Sequence, residues 1–114
     1  DGGHNISASL SIANWIKSRD EKVNLIVGMM EDKDHEVFIK SFEKIVNSIT
    51  LIDIPNQKSS ISKEDLKKKL INLNVNLKLS NSIEESIESL AKNEKTITLC
   101  IGSLYLVGEI ISLN

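Results

Sequence analysis

Short runs of β-branched and aliphatic residues alternate along this chain with stretches in which apolar residues recur every three or four positions. Ile6, Leu10, Ala13 and Ile16 have helical spacing, and the charged stretch 17–22 ends the pattern. Val23, Leu25, Ile26 and Val27 form a β-branched run closed by Gly28, as expected of a buried parallel strand that feeds a loop. Phe38, Phe42, Ile45 and Val46 predict a second helix after the acidic loop Glu31, Asp32, Lys33 and Asp34. Residues 49–54 predict a strand stopped by Pro55 and Asn56. Ser62 and Asp65 form a weakened capping box ahead of a third helix bearing Leu66, Leu70 and Leu73. Residues 75–79 read as a short strand, Ile83, Ile87, Leu90 and Ala91 as a fourth helix, and 96–101 as a last strand. A fifth helix is expected to carry Leu104, Val107 and Ile111 on one side.

Five helices alternating with four strands predict an α/β, Rossmann-like, mostly parallel sheet with helices on both faces. The chain opens on a helix, so one more strand is expected before Asp1. Ligands of such sheets bind beyond the carboxyl ends of the strands. Three polar segments meet that condition: residues 1–5, 28–34 and 102–105. In the first, Gly2 and Gly3 permit close backbone approach, and the following helix offers free N–H groups to an anion.

Composition narrows the function. A length of 114 residues with 40% hydrophobic content fits one domain, residues 1–114, with a core of ordinary size. The net charge of −2, a pI near 5.7 and only 4% aromatic residues speak against a nucleic-acid partner. Arg19 is the single arginine, so guanidinium clamping of a phosphate has one source at most. Cys100 has no second cysteine to pair with, which fits a reducing, cytoplasmic setting. The longest uncharged apolar stretch, residues 97–108, falls short of the roughly 20 residues that span a bilayer.

Asp1-Gly2-Gly3-His4-Asn5 before a helix, Gly28-Met29-Met30-Glu31-Asp32-Lys33-Asp34 after the next strand, and the Cys100 to Gly108 segment occur in that order. Together they resemble the C-terminal domain of folylpolyglutamate synthase/dihydrofolate synthase, in the Mur ligase superfamily. The resemblance implies an ATP- and Mg²⁺-dependent amide ligase that activates a folate or dihydropteroate carboxylate as an acyl phosphate and joins it to L-glutamate. It implies that Asp1 and Asn5 contact ATP, Asp1 through the ribose hydroxyls, and that His4, Lys33 and Ser103 contact glutamate. The family's phosphate-binding loop and magnesium ligands lie in a preceding domain. No Gly-x-x-x-x-Gly-Lys occurs in these residues, so no catalytic residue is expected here and the domain alone is expected to be inactive. A missing N-terminal ATPase domain in the same chain and a monomeric, cytoplasmic enzyme complete the expectation.

Two positions depart from the family pattern: Ile6 stands where proline is usual, and Gly3 where alanine is more common. Loss of proline from the first turn loosens that turn without removing a ligand group. Plainer readings stand beside each assignment. Asp1 suits any helix start, His4 can be a loop histidine, Lys33 can be an exposed ion pair, and Ser103 can be a simple helix cap. Trp15 reads as packing and Cys100 as a buried strand residue. His35 beside Asp32 and Asp34 lacks a partner at metal-ligand spacing. From other functional classes, Asp53 at a strand end raises the alternative of a phospho-receiver domain, and a degenerate nucleotide-binding module is a further one.

Overall fold

The computed structural model describes residues 2–90, 96–102 and 106–112, with side chains over 6–90 and 96–101. Nine elements follow among them: α1 (Gly2–Lys17), β1 (Lys22–Gly28), α2 (His35–Lys40), β2 (Ser48–Leu51), α3 (Lys63–Leu70), β3 (Leu77–Leu79), α4 (Ile83–Leu90), β4 (Thr96–Gly102) and β5 (Leu106–Ser112). The strands form one sheet in the order β3-β2-β1-β4-β5. The first four are parallel, as the alternation requires, and β5 returns antiparallel along β4.

Strand alternation divides the core in two. Val23, Leu25 and Val27 of β1, Ile49 and Leu51 of β2, and Ile97, Leu99 and Ile101 of β4 point to one face, where Ile12, Ala13 and Ile16 of α1, Phe38 and Ile39 of α2, and Leu66 and Leu70 of α3 cover them. Ile26, Ile52 and Cys100 point to the other face and meet Leu90 of α4, with Ile83 and Ile87 alongside. Helices therefore lie on both faces, as expected. Phe38 and Phe42 meet edge to face at 5.8 Å between ring centres. Trp15 packs against the larger cluster, with the Arg19 guanidinium 5.3 Å over its ring.

Polar side chains also fix the register. Asn24 on β1 is fully buried, and its Oδ1 accepts hydrogen bonds from Ser48 Oγ at 2.6 Å and Asn47 Nδ2 at 2.9 Å. A one-residue slip of β2 against β1 would break both bonds and turn the apolar row outward. Ser9 Oγ donates to the Ile6 carbonyl at 2.9 Å, and lies 3.1 Å from Ser41 Oγ, which links α1 to the end of α2.

Several boundaries differ from the sequence expectation. Residues 106–112 form β5, not a fifth helix. Val107, Ile110 and Ile111 are β-branched, and Gly108 would cost a helix about 1 kcal/mol, while the outer edge of β4 offers a full row of backbone partners. A register irregularity between Cys100 and Ile101 accommodates the pairing. At the other end α1 begins at Gly2, so residues 2–5 belong to the helix and not to a loop before it. The second helix stops at Lys40, and residues 41–45 continue as turns with Lys44 at φ 65°. Phe42 remains fully buried from that turn. The strand expected over 49–54 ends at Leu51.

Gly28 ends β1 where the chain beyond β2 folds across it. A Cβ there would lie 2.8 Å from Ile54 Cγ1 and 3.4 Å from the Ile52 carbonyl. Gly28→Ala is therefore expected to destabilise the fold by about 1–3 kcal/mol, read as a lower urea midpoint. An unchanged midpoint would mean that residues 52–54 yield without cost.

Candidate functional site at the topological switch point

The connection from β1 leads to β2 on one side, whereas β4 lies on the other side of β1. The crossovers thus diverge between β1 and β4, which opens a crevice beyond their carboxyl ends. Gly28 and Gly102 are the last pair of that ladder. Neither strand end carries a side chain of its own, and Ile54 Cγ1 packs where a Gly28 side chain would begin.

The segment after β1 is held by its backbone. Met29 is buried, and its carbonyl accepts the Ile61 N–H at 3.0 Å. Met30 forms an antiparallel bridge with Ser60, and the Glu31 N–H donates to the Ser59 carbonyl at 2.7 Å. Ser60 Oγ accepts the Ile54 N–H at 3.1 Å, tying the same strap to the chain beyond β2. His35, only 3% exposed, opens α2 and places Nε2 2.8 Å from the Met30 carbonyl. Because a carbonyl only accepts, Nε2 carries the proton. His35 thus anchors the loop.

That anchoring displays the charged side chains. Glu31, Asp32 and Asp34 are exposed, while Lys33 is half-buried, with its N–H 3.4 Å from the Met30 carbonyl. Lys33 makes no ion pair among the described residues. The reading of Lys33 as a surface ion pair therefore does not hold within the described residues. Among those residues no three His, Cys, Asp or Glu side chains gather as a metal site.

The N-terminus of α1 lies at the same end of the sheet. Sixteen residues of helix rise about 24 Å, and α1 packs on the sheet and joins the amino end of β1 through a short turn. Its first turn, including His4 and Asn5, therefore starts from the carboxyl end of the strands, and its leading N–H groups have no partners within the helix. The side chains of His4 and Asn5, and all of Asp1 and Ser103, lie outside the described residues. Of the five expected contacts, Lys33 is the one whose side-chain surroundings are described.

Asp53 has a structural task. Its Oδ1 accepts the Lys63 N–H at the start of α3 at 2.8 Å, and its Oδ2 lies 3.4 Å from Lys63 Nζ. Ser62 caps the same helix by accepting the Asp65 N–H at 3.1 Å, as the capping box predicts. Desolvation pulls the Lys63 pKa down, but the hydrogen bond and charge of Asp53, with Glu64, outweigh it and leave the pKa above its ordinary value. Cys100 is buried, and desolvation pushes its thiol pKa up, away from nucleophilic use.

The family model for the C-terminal domain of dihydrofolate synthetase matches residues 1–113. The chain belongs to that family. Among solved structures, folylpolyglutamate synthase from Thermotoga maritima superposes on the domain with a TM-score of 0.75 and 25% identity, covering 94% of this chain and 25% of that one. The Mycobacterium tuberculosis folylpolyglutamate synthase complexed with ADP gives 0.68 at 14% identity, over 81% and 22% of the two chains. The bifunctional folylpolyglutamate synthase/dihydrofolate synthase of Yersinia pestis, complexed with AMPPNP and a Mn ion, gives 0.68 at 19%, over 90% and 24%. The domain spans about a quarter of the length of these relatives. None of the curated proteins matches it. Family membership and the occupied Asp53 carboxylate disfavour the phospho-receiver alternative.

Sequence reasoning missed the strap at residues 59–61 and the anchoring role of His35. The one legible signal was a histidine at the first helical position after a loop. His35→Phe should keep the fold, lower stability by about 1 kcal/mol and speed amide exchange over residues 30–34; exchange unchanged there would remove the anchoring role. The raised Lys63 pKa means that the pair stabilises fully below the unfolded lysine value of about 10.4 and loses that contribution as pH rises through the higher folded value. The stability difference between the wild type and Asp53→Asn should therefore be level from neutral pH to that point and narrow above it. A difference that stays level through strongly alkaline pH would refute the linkage.

Proposed function

We propose that this domain is the nucleotide-closing and glutamate-holding wall of an ATP-dependent amide ligase, one that adds L-glutamate to folate or dihydropteroate through an acyl phosphate. The observation that carries the reading is the switch-point crevice: a glycine pair at its strand ends, the leading N–H groups of α1 at the same end, and a half-buried lysine without an ion pair among the described residues, on a loop held by backbone bonds. These features suit ATP and an amino-acid carboxylate. ATP would supply the phosphoryl group that activates the substrate carboxylate, with Mg²⁺ held by residues of a preceding ATPase domain.

Each site residue then has a binding role. Asp1 accepts hydrogen bonds from the ribose hydroxyls and orients the nucleotide, and Asn5 in the first turn of α1 lies on the phosphate side. Lys33 pairs with a glutamate carboxylate, an attraction that grows when closure of the two domains expels water. His4 and Ser103 complete the glutamate pocket. No proton transfer is assigned to the domain, which is expected to be inactive alone and to work as part of a monomeric cytoplasmic enzyme. The nucleotide complexes of the M. tuberculosis and Y. pestis relatives support this reading. Among the described residues no helix is long and apolar enough to cross a membrane.

Steady-state kinetics of the whole enzyme test the assignments. Asp1→Ala should raise the KM for ATP, and Lys33→Ala the KM for glutamate, each on the order of tenfold, the scale of one lost charged hydrogen bond. If both variants keep wild-type constants, the site assignment is wrong.

A further inference from the structure

A second polar hollow lies on the same edge of the sheet, two strands away from the switch point. Its volume is about 280 Å³, and Thr50, Lys63, Lys78, Glu85, Ser86 and Ser89 are among the residues that line it. It occupies the part of the sheet face beside α4, between that helix and strands β2 and β3. Thr50 and Lys78 are direct partners in the β2–β3 ladder, so their side chains point to the same face, side by side.

The donors around this hollow are not all spent. Thr50 is 4% exposed as a residue and lines the hollow, where its hydroxyl can reach a ligand. Ser86 Oγ donates to the Ser82 carbonyl at 2.9 Å, which leaves its oxygen free to accept. Lys63 is neutralised by Asp53 and Glu64. Lys78 makes no ion pair among the described residues. An exposed lysine on an edge strand also discourages strand pairing with other chains, but that role needs neither a hollow behind the strand nor a hydroxyl lining it beside the lysine.

We propose that this hollow is a separate binding site for a small oxyanion, a carboxylate or a phosphate, held by Lys78 with the Thr50 and Ser89 hydroxyls. The volume leaves room for a group the size of a small dicarboxylate. Glu85, which also lines the hollow, opposes the ligand charge and weakens binding. The site is independent of the proposed ligase role, since none of its residues lies in the switch-point crevice.

Hydrogen–deuterium exchange of the whole protein tests it, with inorganic phosphate and glutarate as separate probes and sodium chloride at matched ionic strength as control. Peptides spanning residues 77–90 should gain saturable protection with at least one probe. Lys78→Gln should weaken that binding on the order of tenfold, and Glu85→Gln should tighten it. Protection by phosphate alone or by glutarate alone identifies the oxyanion source. Should Lys78→Gln fail to fold, Ser89→Ala takes its place, with the same sign expected. Absence of protection with both probes up to on the order of 50 mM, equal protection by chloride, or protection indifferent to the substitution would overturn the proposal.

Discussion

Everything in this domain is arranged around the pairing of β1 on both of its edges. Six of its seven residues are buried, and the strand is bonded to β2 on one side and β4 on the other. A strand so placed cannot be solvated on any side, which demands apolar residues at Val23, Leu25, Ile26 and Val27, and at Asn24 a side chain whose Oδ1 is paired with Asn47 and Ser48. The same central placement separates the two crossover directions. Structural necessity and the switch-point crevice therefore share one origin.

The crevice depends on how its rim is tied down. Residues 59–61 run antiparallel to residues 29–31 as a strap, and His35 holds the Met30 carbonyl from below. Backbone bonds carry much of this framework, and the side chains of Glu31, Asp32, Lys33 and Asp34 make no ion pair among the described residues. A loop positioned by its backbone can display charge without spending it on internal ion pairs. Asp53 illustrates the opposite case: its carboxylate is consumed by the start of α3 and by Lys63, and it contributes to the frame.

Much of the fold was legible because periodicity reports burial. The apolar spacing in α1, the β-branched run of β1, and Ser62 before α3 each read directly onto the structure. The final segment was not legible, because Leu104, Val107 and Ile111 fit a helical spacing as well as residues 106–112 fit a strand. Short apolar segments carry both periods, and the open edge of β4 decided between them. Phe42 sits on a turn, yet its burial gave it the same periodic signature as a helical residue. The motif around Lys33 was visible as a pattern of residue types. Its lack of an ion pair among the described residues was not, since charged neighbours in sequence say nothing of which side chains meet.

By itself the sequence determined the alternation of elements, the parallel sheet between helices, and three motifs in the order of a folate-ligase C-terminal domain. Local spacing and residue type suffice for these, because each depends on neighbours along the chain. Only the tertiary structure decided that β5 closes the sheet edge, that Gly28 meets Gly102 across the switch point, and that His35 and the 59–61 strap hold the loop bearing Lys33. Those relations join residues far apart in the chain. They are set by which backbone groups remain unpaired once the sheet has formed, and no local pattern records that.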